Sequence, residues 1–140
     1  MANPGALSTA NLIPTFQTAA SSANVDLTTA VVTDITGATL TFSVPVACTG
    51  LAFAFADIDC TAFVASTVGT VRIVLDGTEL VRANAQFNSA NDRTTTGTLT
   101  PLTLTAGSHT LKVQGNNSTA SGTLRYIIAN TTLAVIIFGA

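Results

Sequence analysis

Charge is the scarcest commodity in this 140-residue chain. Only 9% of its residues are Asp, Glu, Lys or Arg, against about 25% in an average soluble protein. Five basic side chains scattered along the sequence, with a net charge of −2, argue against nucleic-acid binding, which needs a basic patch. There is no tryptophan and a single tyrosine, Tyr126. That weakens a lectin reading, because sugar sites exploit flat amphipathic aromatic faces; loop asparagines such as Asn84, Asn88 and Asn91 remain as polar alternatives. The seven phenylalanines are expected mostly at inward strand positions, apart from Phe16.

Chemistry-bearing residues are equally sparse. Cys48 and Cys60 are too far apart for a CxxC redox motif and too few for a zinc site. They are either a disulfide or ordinary small apolar strand residues. The one histidine, His109, has Ser108 and Ser121 available on paper for a triad, but no GxSxG elbow accompanies it. A solvent-facing or capping imidazole is expected instead. Asp57 and Asp59 would share one face of a strand. Calcium wants six to eight oxygens, and a catalytic pair wants a cleft, so a surface role is expected for both. Gly115-Asn116-Asn117-Ser118 lacks the Lys-Ser/Thr ending of a phosphate loop and reads as a turn. Its Asn-x-Ser/Thr pattern would matter only in a secreted chain. No catalytic residue, no cofactor site and no metal site is expected, and the chain is read as not an enzyme. Met1–Gly5 shows neither a basic nor an apolar leader region, so neither a signal peptide nor a membrane span is expected.

What is present is apolar and β-branched. Hydrophobic residues make up 47% of the chain, and threonine, helped by serine and asparagine, replaces the missing charge. Threonine suits strands and keeps a sheet face wet without charge. No segment has a helical period. Thr39–Val44 alternates at period two and is stopped by Pro45. In Leu51–Ala56 the large residues take one face and alanines the other, and the alanine face invites close approach by another sheet or subunit. Thr70–Leu75 and Glu79–Ala83 flank Asp76-Gly77-Thr78, the strongest hairpin signal in the chain. Residues 84–97 read as a polar loop. Strands follow over Thr98–Leu104, His109–Gln114, Leu124–Ile128 and Thr132–Phe138. About eight strands spaced by turn signals predict an all-β antiparallel sandwich.

Two stretches depart from that plan. Residues 1–24 carry no charge, hold Pro4 and Pro14, and offer only Leu12, Ile13 and Phe16 as apolar anchors. They are expected as an extended N-terminal arm, residues 25–140 being the domain, with the three anchors laid across a neighbouring subunit. The last strand, Thr132–Phe138, is apolar on both faces. One face should enter the core and the other should be covered by an identical subunit. Leu133, Val135, Ile136, Ile137 and Phe138 are therefore expected at an interface with an identical subunit, which the resemblance below makes a trimer interface.

The run Val71-Arg72-Ile73-Val74-Leu75-Asp76-Gly77-Thr78, the later Leu102–Gln114 with its Ala106-Gly107-Ser108 turn, and the closing Asn130–Phe138 resemble the jelly-roll modules of tailed-bacteriophage surface proteins, head decorations and fibre tips among them. Their architecture is similar to the trimeric jelly roll of the tumour-necrosis-factor and C1q group. The resemblance covers roughly residues 39–140, although the closing strand lacks the acidic residue seen near its end in many phage versions. It implies a jelly roll, a homotrimer and a place on the virion surface after synthesis in the host cytoplasm. The expected function is that of a capsid decoration or cement protein whose partner is the major capsid protein or another virion subunit, with no nucleic acid and no membrane. The alternative is a tail-fibre tip recognising a host glycan or protein, and a filament subunit is a third reading.

Overall fold

A computed structural model describes residues 14–139. Ten strands and no helix make up these residues: β1 (Thr15–Ala20), β2 (Val25–Leu27), β3 (Thr33–Val44), β4 (Cys48–Ala62), β5 (Val68–Leu75), β6 (Thr78–Gln86), β7 (Arg93–Leu104), β8 (Gly107–Asn117), β9 (Thr123–Tyr126) and β10 (Thr132–Phe138). All pairings are antiparallel. One sheet runs β1-β10-β4-β9-β2, with β7 on the other side of β4, and the second runs β3-β8-β5-β6. The chain passes repeatedly from one sheet to the other, and the result is a jelly-roll sandwich.

The first sheet is organised by β4. At 15 residues it is long enough for two strands to share one of its edges. β10 pairs with Thr49–Phe55 and β9 with Ile58–Ala62, while β7 follows the opposite edge from Cys48 to Asp59. Ala52, Ala54 and Ala56 on β4 are fully buried between the sheets. Methyl-sized side chains there let the two sheets close around larger ones such as Phe42, Leu111 and Val113, which belong to the same core cluster. Leu51, Phe53 and Phe55 consequently point outward. The expectation that most phenylalanines face inward is thus corrected: Phe42 and Phe87 are buried, whereas Phe16, Phe55 and Phe138 are exposed and Phe53 is half-buried.

Local chemistry explains several connections. Asp76 and Gly77 both have positive φ, 51° and 85°, the pair of left-handed residues that a two-residue hairpin between β5 and β6 requires. Gly37, at φ 87°, lies inside β3, where the pairing with β8 slips between Asp34 and Thr39. A glycine with this φ absorbs a bulge, so the strand bends and continues. Residues 93–97 form a strand where a loop was expected, because β4 offers them a partner edge. Gly115–Asn117, expected as a turn, are likewise the buried end of β8.

The two sheets are also joined by a polar contact. The Tyr126 ring of β9 is fully buried. Its hydroxyl donates to the Thr70 carbonyl on β5 and lies 3.3 Å from the Asn116 carbonyl on β8. Gly115 makes room for the ring: a Cβ there would sit 2.6 Å from Cζ of Tyr126. Burial pushes the Tyr126 pKa above the usual phenolic range. Tyr126→Phe keeps the ring and loses the inter-sheet bond, and is expected to cost about 1–2 kcal/mol in urea unfolding. A neutral result would mean that the bond contributes nothing net.

The expected arm is in part a strand of the sandwich. β1 pairs in register with β10, Thr15 opposite Ile137 through Ala20 opposite Thr132. Ser21 and Ser22 continue the attachment through backbone bonds to Thr131 and Thr36. Leu12 and Ile13 lie outside the described residues.

Candidate interaction surface

Strict alternation along β10 divides its side chains. Leu133, Val135 and Ile137 are 0–3% exposed inside the protomer's own core. These three, expected at a trimer interface, are therefore core residues, because a strand of a two-layer sandwich can offer only every second side chain outward. Ile136 is half-buried and Phe138 is 44% exposed on the outer face. They alone among the five expected interface residues face outward.

The register builds a surface around them. One row across the sheet reads Phe16, Ile136, Leu51 and Pro101; the next reads Thr18, Ala134, Phe53 and Leu99; a third reads Ala20, Thr132, Phe55 and Gly97. Phe138, Thr49 and Thr103 border them at one end. Phe16 is 62% exposed, Leu99 57% and Phe55 49%. A Cβ on Gly97 would lie 2.4 Å from the Phe55 ring, so the glycine lets that ring lie flat on the sheet. The contributing segments, 14–25, 48–56, 94–104 and 126–139, contain no Asp, Glu, Lys or Arg. Monomeric proteins seldom leave a contiguous apolar face of this kind open to water.

Sequence reasoning had found Phe16, Ile136 and Phe138 but missed Leu51, Phe53, Phe55, Leu99 and Pro101. The large residues of β4 looked like core because large apolar side chains usually are. The signal that would have found them is charge: the four strands of this face come from the long uncharged stretches of the sequence.

Charges border the face or occupy the other sheet. At the far end of the first sheet, Asp26, Arg125, Asp59 and Arg93 stand side by side on β2, β9, β4 and β7. Arg125 binds Asp26 through both carboxylate oxygens at 2.7 and 2.9 Å. Arg93 grips Asp57 in the same way, and Asn130 adds a bond at 3.1 Å. These partners hold the Asp26 and Asp57 carboxyls below their ordinary pKa, the arginine hydrogen bond being the largest cause in each. Such solvent-facing pairs contribute little stability. On the second sheet, Arg72 and Arg82 converge on Glu79 at 2.5 and 2.9 Å, and Lys112 meets Asp34 at 2.6 Å.

The other sequence candidates are dispersed. Among the described residues there is no pocket and no group of three His, Cys, Asp or Glu side chains able to hold a metal ion. No helix is long and apolar enough to cross a membrane. Cys48 and Cys60 are both free thiols, Cys60 buried. Asn84 lies on β6, and Asn88 and Asn91 in the connection to β7. His109 is only 7% exposed, so of the two expected roles, solvent-facing or capping, the ring takes the capping one. Its Nδ1 is 2.7 Å from Asp76 and its Nε2 is 2.8 Å from the Thr105 carbonyl. With both nitrogens engaged, neither is left to take a proton from Ser108 or Ser121.

No protein-family model and no curated protein matches the chain. Among solved structures, the tumour-necrosis-factor protein Eiger of S. frugiperda is similar, with a TM-score of 0.54 and 12% sequence identity. The match covers 86% of this chain and 91% of that one. At that identity the likeness concerns the fold alone, a jelly-roll β-sandwich.

Proposed function

We propose that this chain is a virion structural protein, a homotrimer that decorates a capsid surface and stabilises it. One observation carries the reading: the uncharged apolar outer face formed by β1, β10, β4 and β7. Burial of apolar surface is worth about 25 cal/mol per Å². A face with no charge to pair fits best against another face with none, and the same surface on a second and third copy is such a partner. Closed cyclic assembly lets each copy cover its neighbour's face without leaving one open. The other sheet, with its ion pairs, is left to face solvent. Support for the capsid comes from the resemblance of residues 39–140 to phage surface modules, and low net charge suits dense packing of copies.

The test is the copy number of this chain relative to the major capsid protein in purified particles. A ratio on the order of one to one, or one to a few, is expected for a protein on the head lattice. A ratio far below that would place it at a unique vertex or on the tail and favour a fibre tip. Its absence from particles would refute the proposal.

A further inference from the structure

Beyond the assembly face, the unusual polar feature of the molecule is the buried ring of His109 at one end of the sandwich. It lies at the start of β8, opposite Phe42 of β3, whose ring centroid is 5.9 Å away. Its two nitrogens meet two different turns. Nδ1 faces a carboxylate oxygen of Asp76 in the β5–β6 hairpin, and Nε2 faces the carbonyl of Thr105 in the connection from β7 to β8. A carboxylate and a carbonyl can only accept. A neutral imidazole has one N–H and can donate to only one of them, whereas the imidazolium donates to both.

We propose that His109 is a proton-operated latch: its charged form ties the β5–β6 and β7–β8 turns to β8, and loss of the proton releases one of them.

The surroundings favour the charged form. Asp76 also accepts the Thr110 amide at 2.8 Å and returns its own amide to the Thr110 carbonyl at 2.9 Å, so its carboxylate is held where the ring needs it. No other charged side chain hydrogen-bonds or pairs with the ring among the described residues. Facing it, β3 supplies Phe42 and the β7–β8 turn a backbone carbonyl. Lys112 on β8 is paired with Asp34, and Glu79 and Arg82 on β6 are paired with each other. The hydrogen bond to Asp76, then that to the Thr105 carbonyl, raises the His109 pKa above its ordinary 6.5 against the opposing effect of burial. The His109 hydrogen bond and the Thr110 amide lower that of Asp76.

The sign of the pH dependence follows. A histidine whose folded pKa is raised contributes stability that is fully present below the unfolded value and is lost as pH rises through the folded value. Asp76, with a lowered pKa, adds stability above its unfolded value that is lost as pH falls through the folded one. The latch is therefore closed between the lowered Asp76 value and the raised histidine value, and opens when pH passes the latter.

His109 is the only histidine in the chain, so a long-range ¹H–¹⁵N spectrum contains one ring and needs no variant. At about pH 6 both ring nitrogens are expected protonated, and the titration midpoint is expected above 6.5. Asp76→Asn, which keeps a residue suited to the turn, is expected to move that midpoint down. Thermal midpoints of the native protein are expected to fall as pH rises through the titration, and those of His109→Gln to stay level. A neutral ring at about pH 6, a midpoint at or below 6.5, or an Asp76→Asn midpoint unchanged from native would overturn the proposal.

Discussion

Ile136→Asp is expected to turn the proposed trimer into folded monomers. Ile136 sits at the middle of β10 on the outer face, between Phe16 of β1 and Leu51 of β4. In a free protomer the position is half-buried, so a carboxylate there keeps its water and the sandwich survives. In the assembly a neighbouring copy would cover it, and no cation lies on the face to pair with it. Burying an unpaired charge costs several kcal/mol after relaxation. At about 1.4 kcal/mol for each tenfold in affinity, association should weaken by two orders of magnitude or more. Light scattering coupled to gel filtration reads the mass, and circular dichroism checks the fold. A variant that remains trimeric would show that copies meet elsewhere.

Three residues earlier on the same strand, Leu133→Ala should do the opposite. Leu133 is fully buried in the protomer core, and truncating such a side chain to alanine costs about 2–5 kcal/mol through lost transfer energy and the cavity left behind. That is a large share of the 5–15 kcal/mol that holds an ordinary domain together. Because assembly adds stability by mass action, the loss is best measured by urea unfolding in an Ile136→Asp background, where association does not contribute. A loss below about 1 kcal/mol would mean that the two faces of β10 have been assigned the wrong way round.

The contrast between these neighbours marks how far the sequence could be read. Alternation, the Asp76-Gly77 hairpin and the Pro45 stop were legible because each is local chemistry acting on its own strand. The anomaly of β10 was legible as well: six residues, Leu133–Phe138, apolar on both faces require two covers. Which residues met which cover was not, since period two separates two sets without saying which set lies inside. For β4 size misled, because the alanines fit the narrow space between the sheets and the phenylalanines lie outside. Threonines 94–96 gave no strand signal of their own and became β7 by pairing with β4. His109 was illegible for a similar reason. Its partners Asp76 and Thr105 come from separate turns, and only the folded chain brings them to one ring.

Gly37 and Gly97 show the same limit on a smaller scale. In the fold one carries a bulge inside β3 and the other receives the Phe55 ring, so each serves a long-range arrangement that its neighbours in sequence do not announce.

Whether identical copies cover the apolar face of the first sheet is read from the native molar mass of the unmodified chain by sedimentation equilibrium. Three copies of 14.2 kDa make a species of about 43 kDa with closed symmetry, and that mass is the expected result. A single species at 14.2 kDa, persisting as concentration is raised, would contradict the account.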